Sequence, residues 1–380
     1  MIMACQCIKE SSIPCIDVSS LLLASSSSSS SSASLAATVA AIGDACCSVG
    51  FFQITHHGVS AELEARLEAA SAAFFVLPRE AKREIEMAKA GSTWRGYFEV
   101  GEELTSGKID EKEGLYFARE LPRSDPRPLH GANQWPRAEL GGDELRATVT
   151  EWMHAMETLG HALLGGIALS LGLPRTHFDG AYQEPTTLFR MFNYPPHDAE
   201  KHGSDCFAVG KHSDYGYLTV LKQDGAGGLQ VEAMGSEDRW IDVPCIPHAF
   251  VVNIGDMLEA ATGGLLRATP HRVAQRSSAT AGRLSWPFFY DPSFEAEIQS
   301  IVPLLSPALQ ARAAEARASA PARWDGARFG DLDLHGADAD VVATLTSSGT
   351  KTKYGEYLVK KVSLVFPELA EGLESKRIHR

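Results

Sequence analysis

The chain has 380 residues, 44% hydrophobic and 22% charged, with 35 basic against 48 acidic residues and a formal net charge of −13. That length can bury a substantial core, and the acidic balance argues against nucleic acid or an anionic membrane as the main partner, since both favour Lys/Arg-rich faces. The longest apolar run, around Val18–Ala24, falls short of the roughly 20 residues of a membrane span and contains Ser.

From the N-terminus, MIMACQCIKE lacks a basic segment followed by an apolar one, so no secretory signal is expected. Strand-like IPCIDVSSLL leads into a serine run, which reads as a flexible, low-complexity loop over 24–34. Leu35–Gly50 then reads as a helix, FFQITHHGV as strand and turn, and Ser60–Leu77 as a helix capped by Ser60. Pro78 marks the start of a further helix, and a long one is expected from about Asp143 to Leu171. The seven cysteines, Cys5, Cys7, Cys15, Cys46, Cys47, Cys206 and Cys245, are odd in number. Two are adjacent within a predicted helix, which argues against a disulfide framework and for free thiols in a cytoplasmic protein.

The pattern changes near Thr186. TTLFRMFNY, YLTVLKQD, GLQVEA, RWIDV, AFVVNI, HRVAQ and RLSWPFFY are short β-prone runs broken by Gly, Pro and Asp, the spacing of a sandwich or barrel. Helical patterns return in SPALQARAAEARASA and GEYLVKKVSLVF, around an acidic insertion near 321–348. The expected organisation is a mostly helical region over 11–183, a β core over 184–300 and a helical extension over 301–380.

Three short motifs carry chemistry. In GKHSDYGYLTV, read as strand, His212 and Asp214 are two apart and face one side, so they can share an ion. Alone, that pair more often reads as a surface His and a turn Asp. ATPHRV adds His271, and GRLSWPFF adds Arg283 with Ser285 on the same strand face. An Arg inside an apolar strand is costly unless it meets an anion, and its fork suits a carboxylate. Two imidazoles and one carboxylate leave half an octahedral shell open, the pattern of non-haem Fe(II) oxygenases; structural zinc would want a closed shell.

The order of these motifs, with IPCIDVS, GFFQITHHGVS, RGYFEVGEE, KEGLYFARE, RMFNYPP, VVNIGDMLEAATGGLLRATPHRV and YGEYLVKKVSLVFPEL, resembles the Fe(II)/2-oxoglutarate-dependent dioxygenases of the isopenicillin N synthase-like superfamily over nearly the whole chain. The resemblance implies a mainly β fold with helices, a double-stranded β-helix (jelly-roll) core flanked by N-terminal and C-terminal helices. It implies that His212, Asp214 and His271 ligate Fe(II), and that Arg283 and Ser285 bind the distal carboxylate of 2-oxoglutarate. Tyr194 matches a co-substrate-binding Tyr, with Phe192 where many members have Asn, and Phe289 matches a substrate-pocket position.

The implied reaction is oxidation, expected to be hydroxylation, of a small organic molecule with O2, releasing succinate and CO2, with ascorbate in support. The protein is expected to be a monomer that engages neither membrane nor nucleic acid. An oxidase of the same superfamily that dispenses with 2-oxoglutarate, or a non-catalytic small-ligand sensor on the same barrel, are the alternatives. Arg95 and Tyr97 are placed at a pocket mouth or on the surface.

Overall fold

The computed structural model describes residues 12–23, 32–105, 108–196, 207–235, 239–274, 282–319 and 352–366. β1 (Cys15–Asp17) leads through α1 (Ser19–Leu23) and α2 (Ser32–Ser48) to β2 (Phe51–Thr55), α3 (Ala61–Phe75) and α4 (Arg79–Arg83). Short strands β3 (Gly96–Phe98), β4 (Leu104–Thr105), β5 (Lys108–Ile109) and β6 (Glu113–Ala118) precede the long helix α5 (Gly142–Ser170). The core strands are β7 (Pro185–Tyr194), β8 (Phe207–His212), β9 (Leu218–Gln223), β10 (Leu229–Glu232), β11 (Trp240–Asp242) and β12 (Phe250–Ile254). After α6 (Asp256–Ala261) come β13 (His271–Ala274), β14 (Arg283–Ser293), β15 (Glu297–Ile298), α7 (Pro307–Ser319), β16 (Thr352–Lys353) and α8 (Tyr354–Val365).

Helix α2 begins at Ser32, so the last positions of the expected 24–34 loop form its first turn. Residues 24–31 and the acidic stretch at 321–348 lie outside the described residues. Ser60 caps α3 as expected, its hydroxyl accepting from the Leu63 N–H at 3.2 Å. In α5, Leu145, Val149, Trp152, Met156, Leu159, Leu163 and Ile167 recur every three or four residues and are all buried. Gly160 lets this helix close on the core: a Cβ there would lie 2.8 Å from the Tyr290 ring.

The main sheet has the order β1-β2-β12-β9-β14-β7-β6-β3, and a smaller one runs β11-β10-β13-β8. Half of the main sheet, β1, β2, β3 and β6, comes from the region expected to be mostly helical. Residues of both sheets line one cavity of about 200 Å3, so the sheets face each other across it. This is the expected jelly-roll core.

The period of two along each strand decides what the cavity meets. On β14, Arg283, Ser285, Pro287 and Phe289 line it, while Trp286 turns outward and donates to the Ser71 hydroxyl of α3 at 2.8 Å. On β7, Leu188, Arg190, Phe192 and Tyr194 line it.

A candidate metal and co-substrate site

His212 ends β8 and His271 begins β13, and the two residues are paired across the antiparallel ladder. That register brings their ring centroids to 4.2 Å. Asp214 does not share the strand, contrary to the same-face reading of the sequence: β8 ends at His212, and Asp214 lies in the turn that follows.

Other contacts place that turn. The Asp256 N–H, at the start of α6, donates to the Asp214 carbonyl at 2.8 Å, and the Gly255 N–H donates to the Tyr217 carbonyl at 3.1 Å. Gly216 and Gly255 allow the close approach: a Cβ on Gly255 would sit 2.3 Å from the Gly216 carbonyl oxygen, and one on Gly216 would strike the Asp291 carboxylate.

The three side chains offer donor atoms within 4.8 Å of one another. Asp214 Oδ1 lies 3.9 Å from His212 Nε2 and 3.8 Å from His271 Nε2. Among the described residues no other group of three metal-binding side chains converges. His212 Nδ1–H donates to the Gly210 carbonyl at 2.9 Å, and His271 Nδ1–H to the Thr269 carbonyl at 3.2 Å. Each bond fixes the tautomer that leaves Nε2 free to bind a metal.

Asp214 Oδ2 accepts from the Thr219 hydroxyl at 2.5 Å and the Asn253 amide at 2.8 Å, which turns Oδ1 to the imidazoles. Burial alone would raise the Asp214 carboxyl, but His271 and His212 beside it and these two hydrogen bonds hold it below its ordinary value. Burial, reinforced by His212, pushes His271 down to about 4, so it is neutral near pH 7. One carboxylate and two imidazoles fit a divalent metal with open coordination positions.

Arg283 pairs with Tyr194 between β14 and β7, with its guanidinium 4.7 Å from the centre of the Tyr194 ring. Its Nε and Nη1 are buried without a hydrogen-bond partner among the described residues. Such donors cost free energy unless an anion meets them. Ser285, almost fully buried, lines the same cavity. The pair therefore fits a carboxylate ligand, in the cavity that also holds the imidazoles. Phe289 lines this cavity too, 4.9 Å from the Arg190 guanidinium.

Arg95 and Tyr97 are buried rather than on the surface, and Arg95 lines a separate cavity of about 90 Å3. Arg95 is buried and donates to the carbonyls of Thr93, Leu129 and Arg119, and Tyr97 donates to Glu113 at 2.5 Å. Sequence reasoning missed Thr219, Asn253, Trp94, Glu103, Lys112 and Arg190, all lining the cavity. The burial argument applied to Arg283 would have found Arg190 in TTLFRMFNY.

Two expected results arise from these contacts. Asn253→Ala removes one hydrogen bond that aims Asp214, and losing such a partner costs roughly 10–100-fold in metal affinity; an Fe(II) titration measures it, and unchanged affinity contradicts the assigned role.

The second concerns Asp291, which accepts from the Tyr217 N–H and the Tyr354 hydroxyl, both at 2.7 Å. Burial pushes its carboxyl up to about 7. The folded state then binds a proton that the unfolded chain has lost, so this group's contribution to stability falls as pH rises from about 4 to 7. Asp291→Asn should therefore melt above the parent protein at pH 8, by up to ~4 kcal/mol in unfolding free energy, and close to it at pH 5. A gap independent of pH would count against the raised value.

Comparison with known proteins places this geometry. A family described as "non-haem dioxygenase in morphine synthesis N-terminal" matches residues 13–138, and the 2OG-Fe(II) oxygenase superfamily matches 185–292. A probable iron/ascorbate oxidoreductase of Dictyostelium discoideum is 38% identical over 357 residues, covering 87% of this chain and 90% of the relative. A 1-aminocyclopropane-1-carboxylate oxidase of the same organism is 33% identical, covering 86% and 89%. A full-length Neurospora crassa protein, solved with alpha-KG and 5-formyluracil, shares the fold at a TM-score of 0.70 and 23% identity, covering 96% of this chain and 99% of that one. The chain belongs to the 2OG-Fe(II) oxygenase superfamily and is an oxidoreductase.

Proposed function

We propose that His212, Asp214 and His271 hold Fe(II), and that the enzyme couples decarboxylation of 2-oxoglutarate to oxidation, by hydroxylation, of a small organic metabolite. One atom of O2 enters succinate as CO2 leaves, and the other enters the product. The observation that carries this reading is the convergence of two imidazoles and a carboxylate in the cavity that also holds the unpartnered guanidinium of Arg283.

Bound iron supplies the oxygen activation; the chain's own groups bind and orient. Arg283 and Ser285 fix the distal carboxylate of 2-oxoglutarate, so the keto acid is held before oxygen reacts. Tyr194 stacks beside Arg283 and limits where its guanidinium can point. Thr219 and Asn253 keep Asp214 ionised and aimed. Phe289 belongs to the substrate side of the cavity.

We place its action in the cytoplasm, as a monomer on small molecules; the described cysteines Cys15, Cys46, Cys47 and Cys245 form no disulfide. No helix among the described residues is long and apolar enough to cross a membrane.

The relatives named as an oxidase and as an iron/ascorbate oxidoreductase support a second reading, an Fe(II)-dependent oxidase that does not use 2-oxoglutarate. A screen of metabolite pools with Fe(II) and ascorbate separates the two. Substrate-dependent succinate formation supports the dioxygenase; substrate oxidation that proceeds equally without 2-oxoglutarate supports the oxidase.

A further inference from the structure

At the substrate side of the cavity lies a second guanidinium, that of Arg190, whose side chain is only 12% exposed. It sits on β7 between Leu188 and Phe192, on the face that ends at Tyr194. Tyr194 pairs with Arg283, and Arg190 is four residues back along the strand. At 3.2–3.4 Å per residue that sets the two positions roughly 13 Å apart along the sheet.

Three aromatic rings fix the Arg190 guanidinium: Tyr116 at 4.1 Å, Trp94 at 4.4 Å and Phe289 at 4.9 Å from their centres. Its hydrogen bonding is nearly unspent. Among the described residues, Nη1 donates once, to the Tyr116 hydroxyl at 3.1 Å. Glu103 Oε1, 3.8 Å from Nη1, forms an ion pair with it but accepts no hydrogen bond from it.

That carboxylate is committed elsewhere, to Lys112 at 2.7 Å and to the Tyr116 hydroxyl at 2.6 Å. Lys112 is in turn paired with Asp110. Arg95 shows how a structural arginine of this fold behaves, with its terminal nitrogens spent on three backbone carbonyls. Trp94 adds a second signal. Its backbone is held in the left-handed region at φ 55°, and its buried indole N–H has no acceptor among the described residues. A strained aromatic residue against a half-used cation in a cavity is a ligand-binding arrangement.

We propose that the primary substrate is a small carboxylic acid whose carboxylate Arg190 binds within the cage of Trp94, Tyr116 and Phe289. The proposal rests on reading His212, Asp214 and His271 as the iron site, with 2-oxoglutarate on Arg283. The cavity, at about 200 Å3, is smaller than the roughly 300–1,000 Å3 of drug-sized ligand sites, which favours a compact acid.

The test uses the full-length protein and two acid–amide pairs, pentanoate with pentanamide and phenylacetate with phenylacetamide. Iron-free protein is first titrated with each probe, and binding is read by thermal shift and calorimetry. The anaerobic Fe(II)–2-oxoglutarate complex follows, read by its visible absorption. The acids should bind at least tenfold more tightly than their amides. Arg190→Met should weaken the acids by ~30-fold or more and erase the preference. Arg190→Lys should keep part of it, and Trp94→Phe should reduce it.

Equal binding of acids and amides by the parent protein overturns the proposal without any variant. A loss of 2-oxoglutarate affinity in Arg190→Met equal to the loss for the probes also overturns it, because Arg190 would then serve the co-substrate. If the parent protein forms no Fe(II)–2-oxoglutarate complex, the proposed function fails, and the iron-free titration still decides whether Arg190 selects acids.

Discussion

Asp214→Ala is expected to abolish iron binding and turnover. Asp214 is the one carboxylate of the three converging donors, and its Oδ1 faces both imidazoles at 3.8–3.9 Å. Its removal leaves two imidazoles, one of them buried, with no anionic charge to offset a divalent ion. Loss of a residue that only orients a ligand costs roughly 10–100-fold in metal affinity, so loss of the ligand itself should exceed that range. Equilibrium dialysis with Fe(II), paired with succinate release, reads both effects. Asp214→Asn keeps the shape and the bond from Thr219, and its failure to recover activity would place the effect on charge. Normal turnover by Asp214→Ala would remove this residue from the triad.

Arg283→Ala should raise the 2-oxoglutarate concentration needed for half-saturation by roughly 30-fold or more, from the 2–5 kcal/mol lost when a buried charge pair is truncated. The structure gives the reason. The Arg283 Nε and Nη1 are buried and unpartnered among the described residues, which leaves donors open to a carboxylate. Fe(II) affinity in the absence of 2-oxoglutarate should change little, since Arg283 carries none of the three converging donors. Arg283→Lys should recover part of the affinity, because an ammonium offers charge without the planar fork. An unchanged 2-oxoglutarate requirement would take Arg283 out of the co-substrate site.

Much of the site is legible in the sequence because its parts are costly elsewhere. A guanidinium in an apolar strand needs an anion, and the alternation of β14 places Ser285 beside it and Phe289 further along the same face. His271 and His212 are legible as residue types, but their pairing is not. It depends on the register of β8 against β13, and β8 itself is a weak signal because Gly210 and Lys211 interrupt it.

Asp214 joins the converging donors for a different local reason from the one its spacing suggests. The same-face rule needs a strand, whereas the turn is clamped by Gly255 and Asp256 some 40 positions later in the chain. The strands β3 and β6 are hidden by their short length and charged neighbours, and only the pairing of β6 with β7 and of β3 with β6 gives them a place in the sheet. Glu103 and Lys112 sit in EVGEELTSGKIDEKEG, which reads as solvated surface. Their burial against Arg190 and Tyr116 is a tertiary fact that no local pattern carries.

The central claim is that one cavity holds Fe(II) on His212, Asp214 and His271 and 2-oxoglutarate on Arg283. An anaerobic titration of the iron-loaded protein with 2-oxoglutarate, followed by visible absorption, tests it most directly. The account predicts a charge-transfer band that saturates at one 2-oxoglutarate per chain, fails to form in Asp214→Ala, and needs far more 2-oxoglutarate in Arg283→Ala. A parent protein that binds Fe(II) yet develops no band at saturating 2-oxoglutarate, or a band unaltered by both substitutions, would contradict it.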